Sequence, residues 1–222
     1  TPPRQEPRAQ PKGSEESGDP GRCRPPSLPS VDDLPQARRY CGRMLVNDSH
    51  RRGLDAWLAS HHGVVARPHL VRIGLSPSAI DHLLARGALV PIVRGLYRSP
   101  AHPFGRAQMM VAACLHVPEG AISFTTAGQE LGFRRMSDRR VHLLVPHGCS
   151  PTIPGVVVHR CRRIDPVDVT TRRADGVRLT SPPRTIHDAA SMIGADGTES
   201  VIEQAIAEGR CTITTLLETS RR

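Results

Sequence analysis

With 222 residues, the chain has room for one or two domains and a modest core in each. Lys and Arg exceed Asp and Glu by 30 to 21, a formal net charge of +9 that favours a polyanionic partner, nucleic acid ahead of an acidic membrane surface. No segment has the length of apolar sequence that a membrane span needs, and six cysteines without a CxxC pair read as reduced thiols, not as a disulfide scaffold or a paired-cysteine metal site.

Lys12 is the only lysine, so the basic surplus is arginine. Arginine's fork matches phosphate and guanine edges, although codon usage in a GC-rich genome explains the same bias equally well. Residues 1–48 are rich in Pro, Gly, Ser and charge, with no periodic apolar pattern, and are predicted to be a disordered tail. Eight basic and seven acidic side chains nearly cancel there, so most of the positive charge falls on the folded part. The start lacks the charged-then-apolar order of a secretory signal, which predicts a cytoplasmic protein, and Met44 offers an alternative translation start.

The first helix is predicted over about 51–62, with Leu54, Trp57 and Leu58 on one face and Gly63 as its stop. Val64 and Val65 read as a short extended link. A second helix covers 67–73, with Pro68 in its first turn and Gly74 at its end. Ser76 caps a third helix that opens on Pro77. Ile80, Leu83 and Leu84 point inward, while Ser78, Asp81, His82 and Ala85 point outward with Arg86 on their flank. Taken alone, such a face is an ordinary solvated one. The next element changes the weighing: ALVPIV, an Arg94-Gly95 turn and LYRS form a hairpin that carries Arg94 and Arg98. Two short helices followed by a basic hairpin is the order of a winged helix-turn-helix, whose second helix can enter the major groove. Between 51 and 98, seven arginines face two aspartates, Asp55 and Asp81.

After a linker near 99–104 the pattern turns to mixed α/β. A helix is predicted over about 106–116, with Met109, Met110, Ala113 and Cys114 inward. AISF is a strand, and TTAGQELG is a short helix opened by a threonine cap. VHLLVP, GVVVHR and VRLTS are strands. A helix follows Pro182 and Pro183, and two more cover about 198–208 and 212–219. The expected fold class is therefore mixed α/β (α+β): a disordered tail (1–48), a winged helix (49–99) and a small α/β domain (104–222) with a mostly β central sheet.

GLSPSAIDHLLARG with its caps, RGLYR, TTAGQELG, VHLLVP, VVVHRCRRIDPVDVT and TSPPRTIHDAA, in this order and separation, resemble the AbiEi-type antitoxin family of type IV toxin–antitoxin systems. The resemblance runs over about residues 54–219. It implies a cytosolic bacterial DNA-binding protein that represses its own operon from an inverted-repeat operator. It also implies functional pairing with a nucleotidyltransferase-like toxin without a stable complex. Some relatives carry the same unit ahead of a restriction-endonuclease-like domain, a pattern absent from these residues.

Enzymatic readings are weaker. A restriction-type nuclease site pairs Mg²⁺-holding carboxylates with a lysine, and the folded part has no lysine. The Gly-Ser turn and paired aspartates of a nucleotidyltransferase are also missing. His147/Cys149 and His159/Cys161 form a repeated H-x-C arrangement, but the spacing is unusual for structural zinc, so neither metal nor cofactor is expected. Thr185 and Asp188 could pair as nucleophile and base, yet read better as helix-tying hydrogen-bond groups. Arg160, Arg162 and Arg163 read equally as a second phosphate patch or as a charged, aggregation-resistant strand edge. The expected activity is non-enzymatic binding of double-stranded DNA through Arg67, Ser76, Ser78, Asp81, His82, Arg86, Arg94 and Arg98, with no membrane partner. The alternative is a protein-interaction module in which the winged helix is structural and the α/β part binds a toxin or another protein.

Overall fold

The computed structural model describes residues 47–172 and 174–221, which fall within one compact unit; the expected tail lies almost wholly outside them. α1 spans Asp48–Ser60, one turn earlier than its apolar periodicity suggests, because the Asn47 side chain accepts from Ser49 N–H and caps it. α2 covers Arg67–Arg72 and α3 Pro77–Ala85, where Ser76 Oγ accepts from Ala79 N–H at 3.2 Å, the cap the sequence predicts.

The link at Val64–Val65 is a strand. β1 (Val64–Ala66) pairs antiparallel with β3 (Leu96–Arg98), which in turn pairs with β2 (Val90–Val93), giving the sheet order β1-β3-β2. Gly63 turns α1 into β1 at φ +78°, where a Cβ would stand 2.5 Å from the His102 Cβ. Gly95 takes the same positive φ in the β2–β3 turn.

This small sheet serves two cores. Val65 and Tyr97 pack with Leu54, Leu58, Leu70, Leu75, Ile80, Leu83 and Leu89 under the three helices. Val64, Ala66 and Leu96 face the other way, into the core built on α4 (Arg106–His116). Alternation along a strand directs successive side chains to opposite faces, so apolar residues at both 96 and 97 bury the strand on both sides. Leu70 and Ile80 are fully buried, each worth about 1.5–3 kcal/mol.

The second sheet is mixed, in order β6-β5-β4-β8-β7. It comprises β4 (Ala121–Ile122), β5 (Val141–Pro146), β6 (Val156–Cys161), β7 (Val169–Thr171) and β8 (Arg178–Thr180). β5 and β6 run parallel over six residue pairs, and α4 packs on one face through Val141, Leu143 and Val145. α5 (Phe124–Glu130) begins at Ser123 and not at a threonine. The Ser123 hydroxyl makes no cap, because it donates to Asp188 instead. α6 (Pro182–Ala207) is interrupted at Gly194 (φ +71°), whose backbone is not helical, so its two arms are the first two of the three predicted C-terminal helices; α7 spans Ile213–Arg221. The mixed α+β class stands. No helix among the described residues is long and apolar enough to cross a membrane.

Candidate nucleic-acid interface

α3 separates its two faces cleanly. Ala79, Ile80 and Leu83 are buried, while Ser78, Asp81, His82, Ala85 and Arg86 are exposed. Exposed small and hydrogen-bonding side chains on a helix anchored from behind are what close approach to base edges requires. Ser76 is exposed as well, but its Oγ holds the cap and lies 3.1 Å from Ser78 Oγ, so its first role is to start the helix. Arg86 stands at the C-cap of α3.

The wing is tied to the helices by Arg67. Its backbone N–H donates to Gly95 O at 2.8 Å, and its guanidinium donates to the Tyr97 hydroxyl at 3.3 Å. That hydrogen bond, with the Asp81 carboxylate adding to it, raises the Arg67 pKa above its ordinary value, so Arg67 is a fixed cation beside α3. Arg94 is exposed in the turn itself. Arg98 is placed differently. It pairs with Val64 and Val90 at the end of β3 farthest from the turn, and its Cζ lies 5.7 Å from the centroid of the exposed Phe104 ring. The hairpin therefore brings Arg94 to the tip and Arg98 to the root; strand register, not composition, separates them.

Behind α3, Trp57 lies between two histidines: His61 at 3.6 Å and His69 at 4.1 Å between ring centroids. Its Nε1–H donates to Val64 O at 3.1 Å. Burial lowers the pKa of His61, and burial together with Arg72 lowers that of His69, both from 6.5. In the unfolded chain both take up protons as pH falls through about 6.5, whereas in the folded chain they stay neutral to lower pH. Their contribution to stability is therefore complete above about 6.5 and is lost as pH falls toward the folded values. Trp57 is the sole tryptophan, so its emission reports directly. Quenching by protonated imidazole is expected with a midpoint below 6.5, and the urea midpoint should fall over the same range. A quenching midpoint at or above 6.5 in the folded protein would contradict the half-buried, neutral stack.

The remaining sequence candidates lie in and around the second sheet. Thr185 is fully buried and bonded to Thr180, Oγ1 to Oγ1 at 2.7 Å and Oγ1 to the carbonyl at 3.1 Å. Asp188 accepts from Ser123 Oγ at 2.7 Å and from Arg184 Nε at 2.9 Å. These bonds tie α6 to the sheet and engage both groups structurally. His159 bonds through Nε2 to His142 Nδ1 at 2.8 Å, and His142 Nε2 reaches Asp138 at 3.0 Å, a half-buried chain centred on the buried His142 that sequence spacing does not announce. Hydrogen bonding from Arg140 holds the Asp138 carboxyl well below the ordinary carboxylate range. An ionised carboxylate only accepts, so His142 Nε2–H is the donor of that contact. His159 is thus turned into this chain. Among the described residues, no three His, Cys, Asp or Glu side chains gather as metal ligands. Arg160 donates to Cys149 O and Ser150 Oγ on the edge strand β6, and Arg163 pairs with Asp165 at 3.4 Å.

No curated protein matches the chain. Among solved structures, the chain is similar to that of the RV2827C protein from Mycobacterium tuberculosis, at 16% identity and a TM-score of 0.49, with 78% of this chain and 71% of that one covered. The resemblance read from the sequence is borne out over the segment that builds the candidate interface: residues 54–100 match the family described as "Transcriptional regulator, AbiEi antitoxin".

Proposed function

We propose that this protein is a sequence-specific, double-stranded-DNA-binding repressor of the antitoxin type that acts in the cytoplasm on its own operon. One observation carries the reading: α3 exposes Ser78, Asp81, His82 and Arg86 on a face sealed behind by Ala79, Ile80 and Leu83, with the cations Arg67 and Arg94 on its wing side. Ser78 and His82 face base edges, and Asp81 accepts from a cytosine amino group. Arg86, Arg67 and Arg94 hold phosphate or minor groove, and Arg98 adds charge from the root of the wing. Ser76 fixes the start of the reading helix. Residues 49–99 form the DNA-binding part, and 104–222 the antitoxin part. Two protomers fill an inverted repeat. Pairing with a nucleotidyltransferase-like toxin is functional, without a stable complex, and the protein itself is not an enzyme.

The test is a mobility shift with the full chain on the DNA upstream of its gene and on a scrambled duplex. The upstream DNA is expected to bind about 10³-fold tighter or more at physiological salt. Equal affinity for the two duplexes would remove the specific part of this assignment.

The protein-interaction alternative has one observation in its favour. On α7, Ile213 and Leu217 are 66% and 51% exposed at i, i+4 spacing, an apolar stripe outside the described cores. A stable complex with the neighbouring gene product, formed without any DNA shift at moderate salt, would favour that reading instead.

A further inference from the structure

Between α1, the C-terminal end of α3 and the turn at 99–101 lies a cleft of about 420 Å³. That volume lies within the range of small-molecule sites. Its floor is aliphatic: Leu54, Leu58, Leu83 and Leu89 line it, each no more than 6% exposed. Its rim is charged in both senses. Asp48, Arg51 and Asp55 line it from α1, and Arg86 lines it from the end of α3. Positions 48, 51 and 55 are i, i+3, i+7 and share one helix face, and 51 and 55 have the spacing at which opposite charges commonly pair. Among the described residues, none of these four side chains is engaged in an ion pair or a side-chain hydrogen bond. The cleft thus presents an apolar base beneath two unpaired cations and two unpaired anions.

That arrangement selects by charge. A phosphate backbone is repelled by Asp48 and Asp55, so the cleft does not extend the DNA surface. A simple cation is repelled by Arg51 and Arg86. A molecule carrying an anion and a cation close together, with an apolar body, satisfies both pairs and covers the leucine floor. The geometry points to a binding site for a free α-amino acid with an aliphatic or aromatic side chain, whose occupancy lowers affinity for DNA. The site stands on the cleft alone; the coupling rests on the DNA-binding reading above. Arg86 is the shared group. A carboxylate in the cleft draws its guanidinium away from the exposed face of α3, and His82 at the same mouth is constrained with it. By linkage, DNA lowers affinity for the amino acid by the same factor.

The experiment uses the full chain. Each standard amino acid is titrated calorimetrically to about 10 mM, where a site with a Kd of ~1 mM is about 90% filled. Saturable binding of one or a few apolar amino acids is expected. The amide of the binder, which lacks the carboxylate, and its N-acetyl form, which lacks the ammonium, should each bind about tenfold more weakly or worse. Arg51→Gln and Asp55→Asn should weaken binding similarly at unchanged Tm; neither residue belongs to the proposed DNA face, so their shifts without amino acid should match wild type. At saturation, affinity for the upstream DNA should fall about fivefold or more. No saturable binding by any amino acid, or equal binding of the charge-edited analogues, overturns the site. Binding that leaves DNA affinity unchanged overturns the coupling. If the protein binds no DNA at all, the repressor reading fails, and calorimetry still decides the site.

Discussion

Arg94→Ala is expected to weaken binding to operator and to unrelated DNA by the same factor, about tenfold at low salt, and to flatten the salt dependence by about one unit of slope. The reason is positional. Arg94 stands exposed in the β2–β3 turn, and the bond from Arg67 N–H to Gly95 O fixes that turn against α2. A phosphate contact made there is indifferent to sequence and releases counterions. Ser78→Ala and His82→Ala should behave differently, each costing about 1–3 kcal/mol on operator while leaving unrelated DNA nearly unaffected. Arg98→Ala should fall below Arg94→Ala in its effect on all DNA, because Arg98 sits at the root of the sheet over Phe104. Mobility shifts across a salt series, with Tm measured for each variant, separate these cases. If Arg98→Ala matched Arg94→Ala at wild-type Tm, the contact surface would lie along the root of the sheet and not at its tip.

The features the sequence makes legible are local ones. The Ser76-Pro77 start of α3, the inward set Ile80 and Leu83, and the glycine-bearing wing turn each follow from a cap, a period or a turn preference within about ten residues. β1 is not legible this way. Three residues carry no period, and what makes them a strand is pairing with β3, some 30 residues later. The clue lies in Leu96 and Tyr97: adjacent apolar residues with one buried on each face require a cover on both sides, which the three helices and α4 supply. The Ser123 start of α5 is hidden for the same reason, since its hydroxyl serves Asp188 across 65 positions. The candidate interface shows the same split. The outward set on α3 is read from helical phase alone, but the difference between Arg94 and Arg98 needs the strand register. The charged cleft beside α3 needs α1, the end of α3 and the 99–101 turn together, which no single segment encodes.

The largest stability effect is expected far from the proposed DNA face, at Asp188. Its side chain is 6% exposed and accepts from Ser123 Oγ and from both approaches of Arg184 Nε, at 2.9 and 3.1 Å; the Arg184 side chain is itself only 11% exposed. Asp188→Ala leaves a guanidinium in the interior without its close acceptor, and a Ser123 hydroxyl, wholly buried, without the carboxylate it serves. Removing one member of a buried ion pair costs about 3–5 kcal/mol, a large share of a typical 5–15 kcal/mol total. Asp168, 3.8 Å from Arg184, keeps part of the charge compensated, which favours the lower end of that range. Because the penalty is an uncompensated charge and not a lost contact area, Arg184→Met in the Asp188→Ala background should restore about 1–3 kcal/mol, whereas Arg184→Met alone should be destabilising. Urea unfolding gives all three numbers, with Trp57 emission as the probe. The DNA affinity of the folded fraction should remain that of wild type, since α3 packs on a different core. A loss at Asp188→Ala below about 1 kcal/mol, together with lost DNA binding, would mean that this network serves function and not the joining of α6 to the sheet.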